Sequence, residues 1–431
     1  MRLLTAAAIF HLALTMTIFG LGRHGVLPGT FNHDGIAVSF APDGVMFRDG
    51  AAGLSEILGR GEFINWATAH QPFHVKLYSI CFALLGPLLG RNIISAEPLN
   101  LFYYLTILTL VFILGREAFS RRVGLLAAII VALWPSLLIH TTQMLRDQLF
   151  IIGMLTFILI MLRWLTRIYS WPEALLRAAA GGATAILVWF ARDNLAVIMV
   201  AAGLLGAGLL VARQFAQRRA QTTNLVGMAL MLGLTIGVTQ AMPKYREPKD
   251  PQQRAEGFVN EASSGTPWGR IGSHVAQARH QFILIYPDAG SNIDRDVRFN
   301  SLSDIIRYLP RAAAIGFFAP FPDMWFTSGK KVGSAGRMLV GVECLMMYVV
   351  EVLAICGLWR GRRRASVWLL FLVSVVGMMA LGLVVVNVGA LYRIRYLFLI
   401  MTIILAVEGA AAALGPMSRR LAGAEELSAT P

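Results

Sequence analysis

Charged side chains that could bind a phosphate and accept a proton recur at the ends of apolar segments, in a chain where only 14% of residues are charged. Charged groups beside apolar helices are costly unless they are solvated or paired, so their repetition suggests a shared use. Arginine offers a planar fork of donors to phosphate oxygens, and a carboxylate can act as a general base. These sets are Asp34/Asp43/Asp49, Arg146/Asp147, Arg192/Asp193 and Arg393/Arg395.

Three carboxylates are candidates for catalysis. Asp43 is the favoured general base, although an Asp in a PDG turn is also a common N-cap of the helix that follows. Asp34, in HDG, is either a second catalytic candidate or a turn residue. Asp147 either positions an acceptor hydroxyl or a metal ion, or forms an internal ion pair with Arg146 near a helix N-terminus. No cofactor is assigned, no metal ligand is named, and a divalent cation is left open.

The candidate phosphate-binding residues are mainly arginines. Arg393 and Arg395 lie on the outward side, against the positive-inside tendency, which favours a lipid phosphate as their counter-ion; ordinary headgroup contact is the alternative. Arg146 is expected to meet the same phosphate, and Arg192 either joins this site or pairs with Asp193. His74 is included as a polar substrate contact, since Pro72 argues against a helical metal site shared with His70.

The elements that would position these residues are apolar helices. A mean hydropathy of +0.63 and 56% hydrophobic residues predict an all-α polytopic membrane protein. The first run, Leu3 to Leu21, shows no cleavage pattern and is predicted to be a retained span. Basic connections set both termini in the cytoplasm, and they explain the net charge of +14 without nucleic acid as a partner. Cys81, Cys344 and Cys356 show no metal-binding or disulfide spacing.

The run from Phe73 to Leu89 decides the topology. It is short, contains Pro87, and opens with His74 and Lys76, so we predict an interfacial helix in the first external loop and about ten spans in total. Asp43 then lies on the outer side. An amphipathic helix from Met46 to Leu58 would lie on the membrane surface.

Three regions follow from this topology. Residues 1–242 form a transmembrane catalytic module with its first external loop at 23–97. Residues 243–337 form a long external loop with an interfacial helix at 305–318, and residues 338–431 hold the last spans and a short cytoplasmic tail.

The first 165 residues contain motifs similar to those of a known superfamily. The first loop reads PDGVMFRDGAAGLSEILGRGEF, and it is followed by HQPFHVKLYSICFALLG, FILGREAFSRRVGLLAAIIVALWPSLL and LRDQL. This order resembles the GT-C polytopic glycosyltransferases, including protein O-mannosyltransferases and aminoarabinose transferases (glycosyltransferase family 39-like). The sequence departs from the family's usual acid pair at Asp43-Gly44, and from its histidine-proline-proline-leucine motif at His70-Gln71-Pro72-Phe73.

The resemblance implies a GT-C-like fold and an activity. Asp43 would match the catalytic acid of the first loop, and Asp147 the acid of the second. A polyprenyl-phosphate sugar would be the donor, a glycan, lipid or protein the acceptor, and a bacterial inner membrane the location, with the active site on the periplasmic face. The resemblance implies no particular sugar.

Two other functions stay open. A polysaccharide polymerase or ligase that uses lipid-pyrophosphate glycans also combines many spans with external arginines. A transporter or lipid-linked glycan flippase is disfavoured, because the charges gather at one boundary and no repeated halves are visible.

Overall fold

The computed structural model describes residues 2–26, 30–31, 43–242, 267–285, 290–326 and 333–411. These residues are mainly helical and include no β-strand, and an isolated bridge joins Asn292 and Asn387. In this part of the chain, eight helices are long and apolar enough to cross a membrane, or up to ten if two bent pairs each count as one span. The architecture is that of an all-α polytopic membrane protein, and the predicted ten spans correspond to the upper count.

The first half of the chain contains the helices α1 Arg2–Arg23, α2 Asp43–Gly59, α3 Phe63–Thr68, α4 Phe73–Leu89, α5 Ile93–Ala118, α6 Arg121–Ala132, α7 Pro135–Thr141, α8 Asp147–Thr166, α9 Trp171–Arg192, α10 Ala196–Gln217 and α11 Thr222–Ala241. Short polar side chains begin several of them. Asn92 caps α5 by accepting from the Ile94 amide, and Ser120 caps α6 by accepting from the Val123 amide. Ser170 and Glu173 form a capping box at α9.

Helices α2 and α4 pack against one another over the N-terminal half. Helix α2 buries Phe47, Ala51 and Leu54, and α4 buries Val75 and Tyr78. The amphipathic pattern predicted for Met46 to Leu58 is therefore accounted for by contact with α4. The apolar face that we expected to lie on the membrane surface is instead covered by protein.

Two breaks turn the chain inside the bundle. Helices α6 and α7 meet at 70°, where Pro135 starts the second helix; a proline lacks the N–H that would continue the first. The other break separates α16 Val388–Ile394 from α17 Tyr396–Ala411, at 54°. The segment that holds Arg393 and Arg395 is thus largely a short buried helix.

The second half contains α12 Pro267–Ile285, α13 Leu302–Phe318, α14 Gly333–Gly361, α15 Ala365–Val384 and the pair α16 and α17. Helix α13 includes the predicted helix at 305–318 and starts three residues earlier, where Ser301 and Asp304 form a capping box. It packs closely on α15, because a Cβ at Gly316 would overlap the Met378 carbonyl and one at Gly382 would overlap that of Ala312. Small residues allow this close approach.

Candidate functional site

Asp43 and Arg393 form an ion pair although 350 positions separate them in the sequence. Asp43 is the first residue of α2, and Arg393 lies in the last turn of α16. Arg393 donates from Nη2 to Oδ2 of Asp43 over 2.7 Å, and their side chains are 10% and 28% exposed. The structure therefore brings together the favoured carboxylate and one of the two arginines that are predicted to face outward.

A second ion pair joins Asp147 to Arg192. Asp147 begins α8 and Arg192 ends α9, so the antiparallel course of two consecutive helices places these residues side by side. Both side chains are about nine-tenths buried. The predicted partner of Asp147 was its neighbour Arg146, but adjacent residues at a helix start point in different directions. Arg192, for which the sequence offers Asp193 as a partner, bonds to Asp147.

The two ion pairs belong to one electrostatic cluster. Arg393 acts on Asp147 as well as on Asp43, and Arg146 lies close enough to act on Asp147 and Arg192. The side chain of Arg146 is half-buried. We call Asp43, Arg393, Asp147, Arg192 and Arg146 the outer cluster, after the membrane side that the sequence predicts for Asp43 and Arg393.

His74 lies beside the outer cluster in α4. Its side chain is fully buried, with its ring edge-on to Phe47 at 4.3 Å between centroids. Burial, followed by the charge of Arg146, lowers the pKa of His74 from 6.5 to about 3, so the ring is neutral at physiological pH. Neither ring nitrogen has a hydrogen-bond partner among the described residues. A neutral imidazole here could donate to or accept from a bound molecule.

Arg395 lies apart from the outer cluster, unlike the prediction that it would share a phosphate with Arg393. It is buried, donates to the carbonyl of Ala319, and stacks over the ring of Tyr392 at 4.1 Å. Residues two apart on a helix face different ways, so the alternation that suggested a shared site separates the two side chains. Asp34 is outside the residues that the structure describes.

A buried polar network around Glu343 was missed by the sequence analysis. Glu343 accepts from the Ser136 amide at 2.6 Å and from the Tyr392 hydroxyl. The hydroxyl of Tyr396 lies 3.0 Å from Nδ1 of His140. The available signal was a carboxylate within the apolar run GVECLMMYVVE, because an ionisable residue inside a span marks a functional or structural contact.

Charges are also found away from the helix ends. His11 lies midway along α1 and bonds to Glu97 at 2.7 Å, and both oxygens of Glu351, midway along α14, are buried without a hydrogen-bond partner in the described chain. The prediction that the charges gather at one boundary of the membrane is therefore wrong for these residues. In the described ranges, no three His, Cys, Asp or Glu side chains gather closely enough to hold a metal ion.

Comparison with known proteins identifies no relative. The chain matches no model of a protein family, no curated protein and no solved structure.

Proposed function

We propose that the chain is a membrane glycosyltransferase that takes a sugar from a polyprenyl-phosphate-linked donor. The observation that supports this function is the outer cluster itself. Two carboxylates and three arginines, from four separate parts of the chain, meet at neighbouring helix ends. This combination offers a proton acceptor next to donors for a phosphate, and these are the two groups that glycosyl transfer from a lipid phosphate requires.

The charge of the outer cluster suits such a donor. Three arginines less two carboxylates leave one positive charge, and His74 adds none because it is neutral. A polyprenyl-phosphate sugar is a phosphodiester with a single negative charge. The donor phosphate can therefore enter without leaving an uncompensated charge, which would be costly in a site that excludes water.

The Asp43–Arg393 pair gives the two residues linked roles. A phosphate oxygen that accepts from Arg393 would compete with Asp43 for this guanidinium and would free the carboxylate to act as a base. Asp43 then takes the proton of the acceptor hydroxyl while the acceptor oxygen bonds to the anomeric carbon. The bond from that carbon to the phosphate oxygen breaks, and its electron pair leaves with the phosphate, which gives inversion.

The remaining residues would support this displacement. Arg192 and Arg146 stabilise the charge that develops on the departing phosphate, and Asp147 holds Arg192 in place. His74 would contact the donor through a ring nitrogen. Arg395 is assigned to packing rather than to the phosphate, since its guanidinium bonds to a backbone carbonyl. The acceptor would be a glycan, a lipid or a protein at the external face, which is the periplasmic face if the membrane is bacterial.

Substitution of Asp43 tests the proposal. The full-length protein in liposomes would be given labelled monosaccharide-phosphate polyprenols, and Asp43→Asn is expected to lower the transfer rate about 10²- to 10⁴-fold, the usual contribution of a general base. Asp49→Asn is the matched control, because Asp49 is on the same helix with a side chain 62% exposed. It is expected to keep the wild-type rate.

Three results would contradict the proposal. Asp43→Asn could turn over at the wild-type rate, which would remove Asp43 as the base. The wild type could consume only pyrophosphate-linked oligosaccharides, as a polymerase or ligase would. It could also move lipid-linked glycans across the bilayer without forming a transfer product, as a flippase would.

A further inference from the structure

A second group of arginines lies at the other ends of α8 and α9. The outer cluster takes Asp147 and Arg192 from one end of this helix pair, while Arg163 and Arg177 lie toward the other. A helix of 20 residues is about 30 Å long, so the two groups are on opposite sides of an apolar layer. We call Glu117, Arg163, Arg167, Tyr169 and Arg177 the Glu117 cluster.

One carboxylate serves several arginines in the Glu117 cluster. Arg167 donates to both oxygens of Glu117 at 2.7 Å, and Arg163 donates to one of them at 3.3 Å. Arg116 also lies 3.8 Å from this carboxylate. Three guanidinium groups therefore lie within 4 Å of one carboxylate, which leaves two positive charges, and Arg177 beside Tyr169 adds a third.

Donors remain unused inside the Glu117 cluster. Tyr169 is only 6% exposed, and its hydroxyl has no hydrogen-bond partner among the described residues. The buried Nε atoms of Arg163 and Arg177 have none in this part of the structure either. Arg177 stacks over the ring of Tyr169 at 4.0 Å, and Arg163 and Arg167 act electrostatically on its hydroxyl. Buried donors without an acceptor are destabilising, so these three atoms would gain by bonding to a ligand that accepts hydrogen bonds.

The backbone around Tyr169 is held in place by Asn224 of α11. Its side-chain amide accepts from the Tyr169 amide at 3.3 Å and donates to the carbonyls of Arg167 at 2.7 Å and Trp164 at 3.2 Å. Three hydrogen bonds from Asn224 thus hold the connection between α8 and α9 in place. The backbone that carries Tyr169 is therefore in place before any ligand binds, which reduces the entropy that binding would cost.

We propose that the Glu117 cluster binds a phosphate group. The ligand supplies anionic oxygens to the Tyr169 hydroxyl and to the two Nε atoms, and it balances the surplus positive charge. The phosphate belongs either to the headgroup of an anionic phospholipid, since the cluster lies at the ends of apolar helices, or to free phosphate. This site is separate from the outer cluster and does not depend on the proposed transferase activity.

The test measures binding to the full-length protein in phosphatidylcholine nanodiscs. The probes are phosphatidylglycerol, added as a minor lipid, and inorganic phosphate at millimolar concentration; the readouts are bound lipid by native mass spectrometry and the melting temperature. Arg163→Gln combined with Arg177→Gln is expected to weaken binding about tenfold or more. Tyr169→Phe keeps the ring under Arg177 and removes only the hydroxyl, so we expect a loss of about threefold to tenfold.

Arg219→Gln is the matched control. It removes one arginine near the same end of the bundle, after α10, where the side chain is exposed, and it should bind like the wild type. If phosphatidylglycerol binds and inorganic phosphate does not displace it, the source is a lipid; if inorganic phosphate alone raises the melting temperature, the source is free phosphate. Equal binding by wild type, Tyr169→Phe and Arg219→Gln would overturn the proposal, even if the double variant did not fold.

Discussion

The two ends of the α8–α9 pair hold arginines and carboxylates in different ways. At the outer cluster each carboxylate has its own arginine, and the Asp147–Arg192 pair is nine-tenths buried. At the Glu117 cluster one carboxylate is shared, and the side chain of Arg167 is half exposed. Glu117 is about as buried as Asp147, but it keeps Arg163 as a partner if the half-exposed Arg167 is lost, whereas Asp147 loses the arginine that bonds to it if Arg192 is lost. Removal of an arginine should therefore lower the stability of the protein more at the outer cluster than at the Glu117 cluster.

The difference also bears on function. Moving two charges out of water costs several kcal/mol per ion. A protein with apolar residues of similar volume in place of a buried ion pair is often at least as stable. The Asp147–Arg192 pair is thus not needed for folding alone, which is consistent with a role for this end in the proposed reaction. The Glu117 cluster has surplus donors instead of matched pairs, as a binding site for an anion would.

The largest expected effect on stability is that of Arg192→Ala. This change leaves the carboxylate of Asp147 buried without its bonded partner, so we expect the free energy of unfolding to fall by about 3–5 kcal/mol. The combined change Asp147→Leu with Arg192→Met removes both charges and should recover most of that loss. Denaturant unfolding in detergent micelles measures both. If the free energy of unfolding of Arg192→Ala lay within about 1 kcal/mol of the wild-type value, the ion pair would not be desolvated.

The next expected effect is a pH dependence that comes from His74, at the outer cluster. The pKa of His74 is about 3 in the folded protein, whereas the ordinary value of 6.5 applies in the unfolded chain. The unfolded chain therefore binds the proton first, and stability is lost as the pH falls from 6.5 toward 3. The slope is at most about 1.4 kcal/mol per pH unit.

His74→Leu should flatten this part of the stability curve, measured by thermal unfolding across that pH range. His70→Gln is the matched control for the loss of a histidine, because His70 is exposed on the same loop. If His74→Leu and wild type keep parallel curves, His74 is accessible to protons in the folded protein.

The smallest expected effect is at the Glu117 cluster. Arg167→Ala removes a half-exposed arginine, while Arg163 continues to bond to Glu117. We expect the free energy of unfolding to change by less than about 1 kcal/mol. The same unfolding measurement as for Arg192→Ala applies. A loss as large as that of Arg192→Ala would remove the contrast between the two ends.

Much of the fold could be predicted from local sequence. Helix α4 has the predicted limits of Phe73 and Leu89, and α1 contains the predicted first run, Leu3 to Leu21. Apolar composition and helical periodicity are local properties, so they can be found without knowing the neighbours. The partner of the amphipathic face of α2 could not be found in this way, because the pattern is the same whether protein or lipid covers it.

The candidate site was predicted in part. The residue types were available from the sequence, and the structure places Asp43, Arg393, Asp147, Arg192 and Arg146 together. Their pairing was not available, since Asp147 bonds to a residue 45 positions away rather than to its neighbour. Arg393 and Arg395 looked equivalent in NVGALYRIRYLF, but the short helix α16 directs only Arg393 toward Asp43.

The sequence alone determined that the chain is helical, apolar and rich in arginine at segment ends, because hydropathy and helix caps depend on residues close together in the chain. Only the tertiary structure decided which charges share a site. Ion pairs such as Asp43–Arg393 depend on helix packing that brings distant segments into contact. No local pattern specifies that packing.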